Sequence, residues 1–233
     1  MSQLLLLPGL AADARMWQPQ LDALHAYSPR VTDVHMRQPD IPAMAAALLA
    51  EHGGDLVLCG ASMGGIVAME VVRQAPERIK GLALLGTNAR PEAPDMRMLR
   101  EEAIALFAQG RVAEVIEPNV AFAFHPEQAQ DPALVRAYLD LVLDAGAQQL
   151  IAQNRAIIGR PDARTHLSLV RCPTLVMCGD SDQLTPPECS REIAALIPGA
   201  RLEMVAGCGH MLTMEKPETV NAALLRWLGS LAA

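Results

Sequence analysis

Leu56-Val57-Leu58-Cys59-Gly60-Ala61-Ser62-Met63-Gly64-Gly65-Ile66-Val67 is the stretch whose reading decides the fold. Its first four residues are continuously apolar, the pattern of a strand buried on both faces. From Gly65 to Gln74 apolar residues recur at helical spacing, and the run stops before Pro76. Between strand and helix stands Gly60-Ala61-Ser62-Met63-Gly64, a G-x-S-x-G motif in a strand-turn-helix setting. A serine on so sharp a turn projects clear of the backbone. Glycine two residues before and two after it lets strand and helix approach closely. The positive end of the helix dipole then lies where negative charge would develop on a reacting carbonyl.

Outward from this centre, short apolar runs end in glycine or a turn: residues 4–9, 79–86, 173–179 and 200–207. They predict further strands covered on both faces. VTDVHM (31–36) reads as a weaker, more polar strand nearer an edge. Helices are expected over Ile41–His52, Pro187–Leu196 and Pro217–Leu231, each with proline near its first turn. Strands alternating with helices predict an open α/β fold, a mostly parallel sheet flanked by helices. From about Arg90 to Leu169 the rhythm breaks. Helical segments at 95–109, 112–117, 132–145 and 147–158 follow one another, punctuated by six prolines. Residues 1–89 and 170–233 are therefore expected to form the core, and 90–169 a helical cap or lid over a site.

A serine hydroxyl is a weak nucleophile unless a base lies within hydrogen-bond reach and a third group orients that base. Two C-terminal strand ends supply candidates: Gly179-Asp180-Ser181-Asp182 and Gly207-Cys208-Gly209-His210. Carboxyl ends of strands are where open α/β sheets carry their sites. His210 is the candidate base. His25 and His52 fall in helical stretches, His35 ends a strand ahead of the nucleophile, and His125 and His166 lie in the helical segment. Asp182, further into its loop, is mildly favoured over Asp180 as the orienting acid; Asp180 is the residue to bond loop amides or cap the turn. The oxyanion of a tetrahedral intermediate needs two backbone N–H donors. Met63, after the nucleophile, is one. Leu10 is the other, because Pro8 has no N–H and Gly9 would make the turn.

The segments at 4–17, 58–79, 172–188 and 205–228 together resemble the α/β-hydrolase superfamily, in its small bacterial esterase-like and enol-lactonase-like branch. The resemblance covers most of the chain outside 90–169. It implies the α/β-hydrolase fold, a catalytic triad of Ser62, Asp182 and His210, and oxyanion donors at Leu10 and Met63. In that family the acid lies three residues after the glycine that ends its strand, which maps to Asp182. Pro8-Gly9 stands where many members have His-Gly. Aspartate at the nucleophile position marks dehalogenases and epoxide hydrolases, which disfavours both for this chain.

The remaining composition narrows the partners. A net charge of −7 with no basic run makes nucleic acid or an anionic membrane poor partners. The four leucines of MSQLLLLPGL have no preceding basic residues and are too few for an export signal or a membrane span. Five cysteines without metal-ligand spacing fit reduced thiols in a cytoplasmic protein. The expected reaction is hydrolysis of a small, largely apolar carboxylic ester or lactone, with no metal or cofactor. Carbon–carbon bond hydrolysis, or cofactor-free perhydrolysis or lyase chemistry, could run on the same triad. A non-catalytic small-ligand receptor is the contrasting reading. Met96, Met98, Leu99, Phe107, Ile116, Phe122 and Phe124 are candidates to line or pack an apolar cap, and Arg90, Arg97 and Arg100 to meet a carboxylate. Neither the substrate nor the oligomeric state is written in these motifs.

Overall fold

The structure, a computed structural model, describes residues 2–231. Met1, Ala232 and Ala233, which the core ranges 1–89 and 170–233 include, lie outside the described residues. The strands are β1 (Gln3–Leu7), β2 (Arg30–Val31), β3 (Leu56–Ala61), β4 (Ile79–Leu85), β5 (Thr174–Gly179) and β6 (Arg201–Val205). The helices are α1 (Gln18–Ala23), α2 (Val34–Arg37), α3 (Ile41–Glu51), α4 (Met63–Gln74), α5 (Pro94–Ala108), α6 (Val112–Ala123), α7 (Pro132–Ile158), α8 (Arg164–Leu167), α9 (Pro187–Leu196), α10 (Leu212–Glu215) and α11 (Pro217–Leu231). The six strands form one sheet in the order β2-β1-β3-β4-β5-β6, and every pairing is parallel. This is the α/β-hydrolase fold.

Continuous apolar runs make sense once the two faces are followed. Leu5 and Leu7 of β1 join Leu56, Leu58, Leu82 and Leu84 in a cluster with α3, α4 and α9. Leu4 and Leu6 point the other way, into a cluster with Val57, Cys59, Ala83, Leu85 and the buried face of α11. Side chains alternate across a strand, so a sheet covered on both faces needs apolar residues at every position. Each fully buried leucine contributes about 1.5–3 kcal/mol relative to exposure.

Two strand expectations are corrected. Only Arg30 and Val31 of the 31–36 region's neighbourhood pair as a strand, whereas Val34–Arg37 is a helical turn. Val34 and His35 are both buried, a helical rather than an alternating spacing from Val31, and Arg37 closes the turn with an ion pair to Asp33 at 2.8 Å. β6 is not covered on both faces: Arg201 and Met204 are exposed and only Val205 is buried. It is an edge strand, and Arg201 and Arg226 both pair with Glu203 along it.

Between β4 and β5 the described chain contains helices and no strand. α6 runs on through Pro118 to Ala123, further than expected from sequence. The segments expected at 132–145 and 147–158 are the two arms of α7, broken at Gly146, where φ is 75°. Phe107, Val142, Leu150 and Ile151 pack with Ala11 in a third cluster, which seats these helices over the loop after β1.

Candidate active site

Parallel order brings the carboxyl ends of all six strands to one edge. The chain passes from β1 outward to β2 and then resumes at β3 on the other side of β1, so β1 and β3 flank the point where winding direction reverses. Crevices at such points are the usual ligand sites of open α/β sheets. Leu10 follows β1, Ser62 follows β3, Asp182 follows β5 and His210 follows β6.

Ser62 has φ 51° and ψ −117°, a conformation that costs a non-glycine residue about 1–3 kcal/mol. The surroundings leave it no alternative. Its N–H donates to Leu85 O at 2.9 Å, and its carbonyl accepts from Gly65 N at 3.0 Å and Thr87 Oγ1 at 2.7 Å. A Cβ on Gly60 would stand 2.4 Å from Gly64 O, and one on Gly64 would stand 2.0 Å from Leu7 O. The motif glycines are therefore required by backbone packed on backbone.

Ser62 Oγ lies 3.0 Å from His210 Nε2, and His210 Nδ1 lies 2.9 Å from Asp182 Oδ2. In the tautomer whose Nδ1–H donates to the carboxylate, Nε2 presents a lone pair to the serine hydroxyl and can accept its proton. Asp182 is buried. Its Oδ1 accepts from the N–H groups of Leu184 and Thr185, both at 2.9 Å, and its Oδ2 accepts from Thr185 Oγ1 at 2.8 Å. Burial pushes its carboxyl up, but the facing imidazole and the Thr185 donors outweigh that, and the group is held below the usual carboxylate range. Asp180 does not reach His210. Its carboxylate accepts from Gly207 N at 3.1 Å and from Ser181 Oγ at 3.0 Å, pinning the loop after β6.

Leu10 and Met63 both line cavities at Ser62. A Cβ on Gly9 would touch Ser62 Cβ at 3.4 Å, so the loop after β1 passes directly against the serine. Buried polar side chains hold this loop. Gln153 of α7 accepts from Ala11 N at 2.6 Å and donates to His35 O at 3.2 Å, and the His35 ring bonds Ala12 O at 2.8 Å. His35, placed by sequence at a strand end, instead backs this loop from α2. His166 bonds Met69 O at 3.1 Å, and His25 is exposed.

Besides Gln153, two contributors escaped the sequence. Thr185 supplies the hydroxyl on Asp182. Glu215, buried at the end of α10, gathers three backbone donors: Gly209 N at 2.9 Å, Met211 N at 3.0 Å and His125 N at 2.8 Å. The N–H groups of His210 and Met211 donate to Ala123 O, at 3.0 and 3.2 Å. The end of α6 is thus tied to the histidine loop. An acidic residue directly after the mostly apolar Met211-Leu212-Thr213-Met214 was the available signal for Glu215.

Ser62 and His210 open onto a cavity of about 560 Å³, within the usual range for small-molecule sites. Met96, Leu99, Phe107 and Ile116 line it. Phe124 is instead fully buried against Tyr138, their rings edge to face at 5.3 Å, while Met98 and Phe122 are exposed. Arg100 lines the cavity, Arg90 pairs with Glu192 at 2.7 Å, and Arg97 reaches Ile158 O at 3.5 Å. Among the described residues no three His, Cys, Asp or Glu side chains group as a metal site, and no helix is long and apolar enough to cross a membrane.

Known proteins resemble the chain over nearly its whole length. An Escherichia coli O157:H7 protein named "Putative carbamate hydrolase RutD" is 28% identical over 242 residues, spanning 97% of this chain and 91% of its own. A malate-bound thermophilic esterase from Thermogutta terrifontis superposes with a TM-score of 0.91 at 28% identity, covering 100% of this chain and 91% of that one. The enol-lactonase of Burkholderia xenovorans LB400 shares the fold, with a TM-score of 0.87 at 22% identity over 98% of this chain and 92% of that one. The family model for the alpha/beta hydrolase fold matches residues 3–217, and the chain belongs to that family.

Proposed function

We propose that the protein is a serine hydrolase cleaving a carboxylic ester or lactone of a small, largely apolar substrate. The observation that carries this reading is the continuous relay from Ser62 Oγ through His210 to Asp182, with separations of 3.0 and 2.9 Å. Ser62 attacks the carbonyl carbon while His210 Nε2 takes its proton. Asp182 holds the imidazole and stabilises its charged form. The Leu10 and Met63 amides receive the oxyanion. His210 then protonates the leaving oxygen, the alcohol departs, and an acyl-serine remains. A water deprotonated by His210 attacks the acyl carbon and returns Ser62 and the free acid. Residues 90–169 act as a cap, their apolar side chains forming the roof of the cavity.

The 28% identity to the thermophilic esterase supports ester substrates. The relatives named for carbamate hydrolysis favour one second reading, transfer of a carbamoyl group to the same serine. A panel of p-nitrophenyl esters and aryl carbamates separates the two by kcat/KM. Ser62→Ala is expected to lower kcat on the preferred substrate ~10⁴-fold or more, and a fluorophosphonate to label Ser62. Wild-type protein that turns over neither class and resists labelling would leave a receptor role instead.

A further inference from the structure

Two cavities meet at Ser62, and their walls differ in charge. Beside the larger apolar one lies a second, of about 390 Å³. It is bounded by Ser62, Met63 and Gln183 near the nucleophile, and by Arg90, Arg100 and Arg160 across from it. Arg100 faces both cavities and is the sole Lys or Arg lining the larger.

The ion pairs behind this wall do not balance. Arg160 is engaged by its own chain: its side chain is 6% exposed, its Nε donates to Arg90 O at 2.7 Å, and its Nη1 meets Glu92 Oε2 at 2.9 Å. The same Glu92 oxygen accepts from Arg100 Nε, and the Glu92 side chain is 4% exposed. Arg100 Nη1 donates to Asn154 Oδ1 at 2.8 Å, and its Nη2 bonds nothing among the described residues. One carboxylate therefore answers two guanidiniums. Next to them Arg90 pairs with Glu192, and Arg164 with Asp162 and Glu192, so four cations are linked to three anions. This excess stands in a chain of net charge −7. One carboxylate half-neutralises two partly buried cations, and the unbonded Nη2 of Arg100 is a charged donor suited to a further anionic oxygen. The second cavity has one acidic residue in its wall, Glu92, against three arginines, whereas Glu102 and Glu114 line only the larger one.

We infer that Arg100 forms the head of a carboxylate subsite, and that the substrate is an ester bearing a free carboxylate on one side of the scissile bond, as in a monoester of a short dicarboxylic acid. The carboxylate lies in the arginine-walled cavity and the apolar remainder in the larger one. This substrate class rests on the reading of Ser62 as nucleophile; the subsite itself does not.

The test compares ester pairs matched in size. Mono-p-nitrophenyl glutarate against p-nitrophenyl pentanoate places the carboxylate on the acyl side, and 4-carboxyphenyl pentanoate against 4-carbamoylphenyl pentanoate places it on the alcohol side. Wild-type kcat/KM is expected to favour the carboxylate member at least tenfold in one pair. Arg100→Gln is expected to reduce that ratio at least tenfold, and Arg100→Lys to restore part of it. Preference for the neutral member in both pairs, or a ratio unmoved in Arg100→Gln, overturns the subsite while hydrolysis of the neutral esters keeps the hydrolase reading. Calorimetry of the wild-type protein with glutarate and with pentanoate needs neither turnover nor a variant. Tighter binding of glutarate supports the subsite even if no ester is cleaved, and equal binding overturns it.

Discussion

Around Ser62 the chain is held by backbone lying on backbone; around His210 it is held by a buried side chain. The elbow's restraints come from glycines at 60 and 64, whose missing Cβ atoms let β3, α4 and the end of β1 touch. The histidine loop turns instead around Glu215, whose carboxylate collects N–H groups from Gly209, Met211 and His125. The first device is steric and short in sequence. The second is polar and reaches 90 residues back to the end of α6. Steric restraint fails all at once when an atom is added. A polar restraint can weaken in steps, and it links the loop of His210 to the helices that line the cavity.

Gly64→Ala tests the steric side and carries the largest expected effect. Its new Cβ has a backbone carbonyl 2.0 Å away and no flexible neighbour to displace. Destabilisation above about 4 kcal/mol is expected, in the range reserved for unrelievable strain, and thermal unfolding of the purified variant measures it. A well-folded, active Gly64→Ala would remove the contrast.

Glu215→Gln tests the polar side. One amide oxygen cannot stand in for both carboxylate oxygens, so at least one of the three N–H groups faces the new NH2 instead of an acceptor, at about 1–3 kcal/mol. His210 shifts with its loop, and kcat is expected to fall roughly 10- to 100-fold, as misplaced catalytic groups do. KM should change less. The chain should remain folded by circular dichroism. Equal losses of stability in Glu215→Gln and Gly64→Ala would show that the two restraints do not differ in kind.

Acid sharpens the comparison with the smallest expected effect. Burial lowers the His35 and His166 imidazoles below their ordinary range. As pH falls below about 6.5, the unfolded chain takes up protons that the folded chain refuses. Stability therefore falls with acidification through the window between the unfolded and folded values, and is regained as pH rises. His35 supports the loop of Leu10 through Ala12 O. The melting temperature should decline steadily from pH 7.5 to 5, and His35→Gln should flatten part of that slope. An unchanged slope in the variant would place the acid sensitivity elsewhere.

Much of the architecture could be read before any coordinates. The apolar runs at β1, β3, β4 and β5 are legible because burial on both faces leaves no room for polar residues. The G-x-S-x-G elbow is legible because its restraint is local. Asp182 could be separated from Asp180 only mildly on chemistry, since both sit in one short loop and their partners lie on another strand. β6 was misjudged as covered on both faces because hydropathy does not say whether a strand has a neighbour on its far side. The 31–36 region was misread because Val31, Val34 and His35 fit a short helical turn as well as a strand end. Thr185, Glu215 and Gln153 went unrecognised, their roles depending on contacts across loops and between segments.

By itself the sequence determined a mostly parallel sheet, a serine on a sharp turn between strand and helix, and a histidine and acid in the right chain order, because each depends on residues close together in the chain. Tertiary structure alone decided that Glu215 and Gln153 tie the helices after β4 to two loops of the site, and that Arg100 and Arg160 share one carboxylate beside Ser62. Those arrangements join residues many tens of positions apart, and pairing at such range is created by packing rather than by any local pattern.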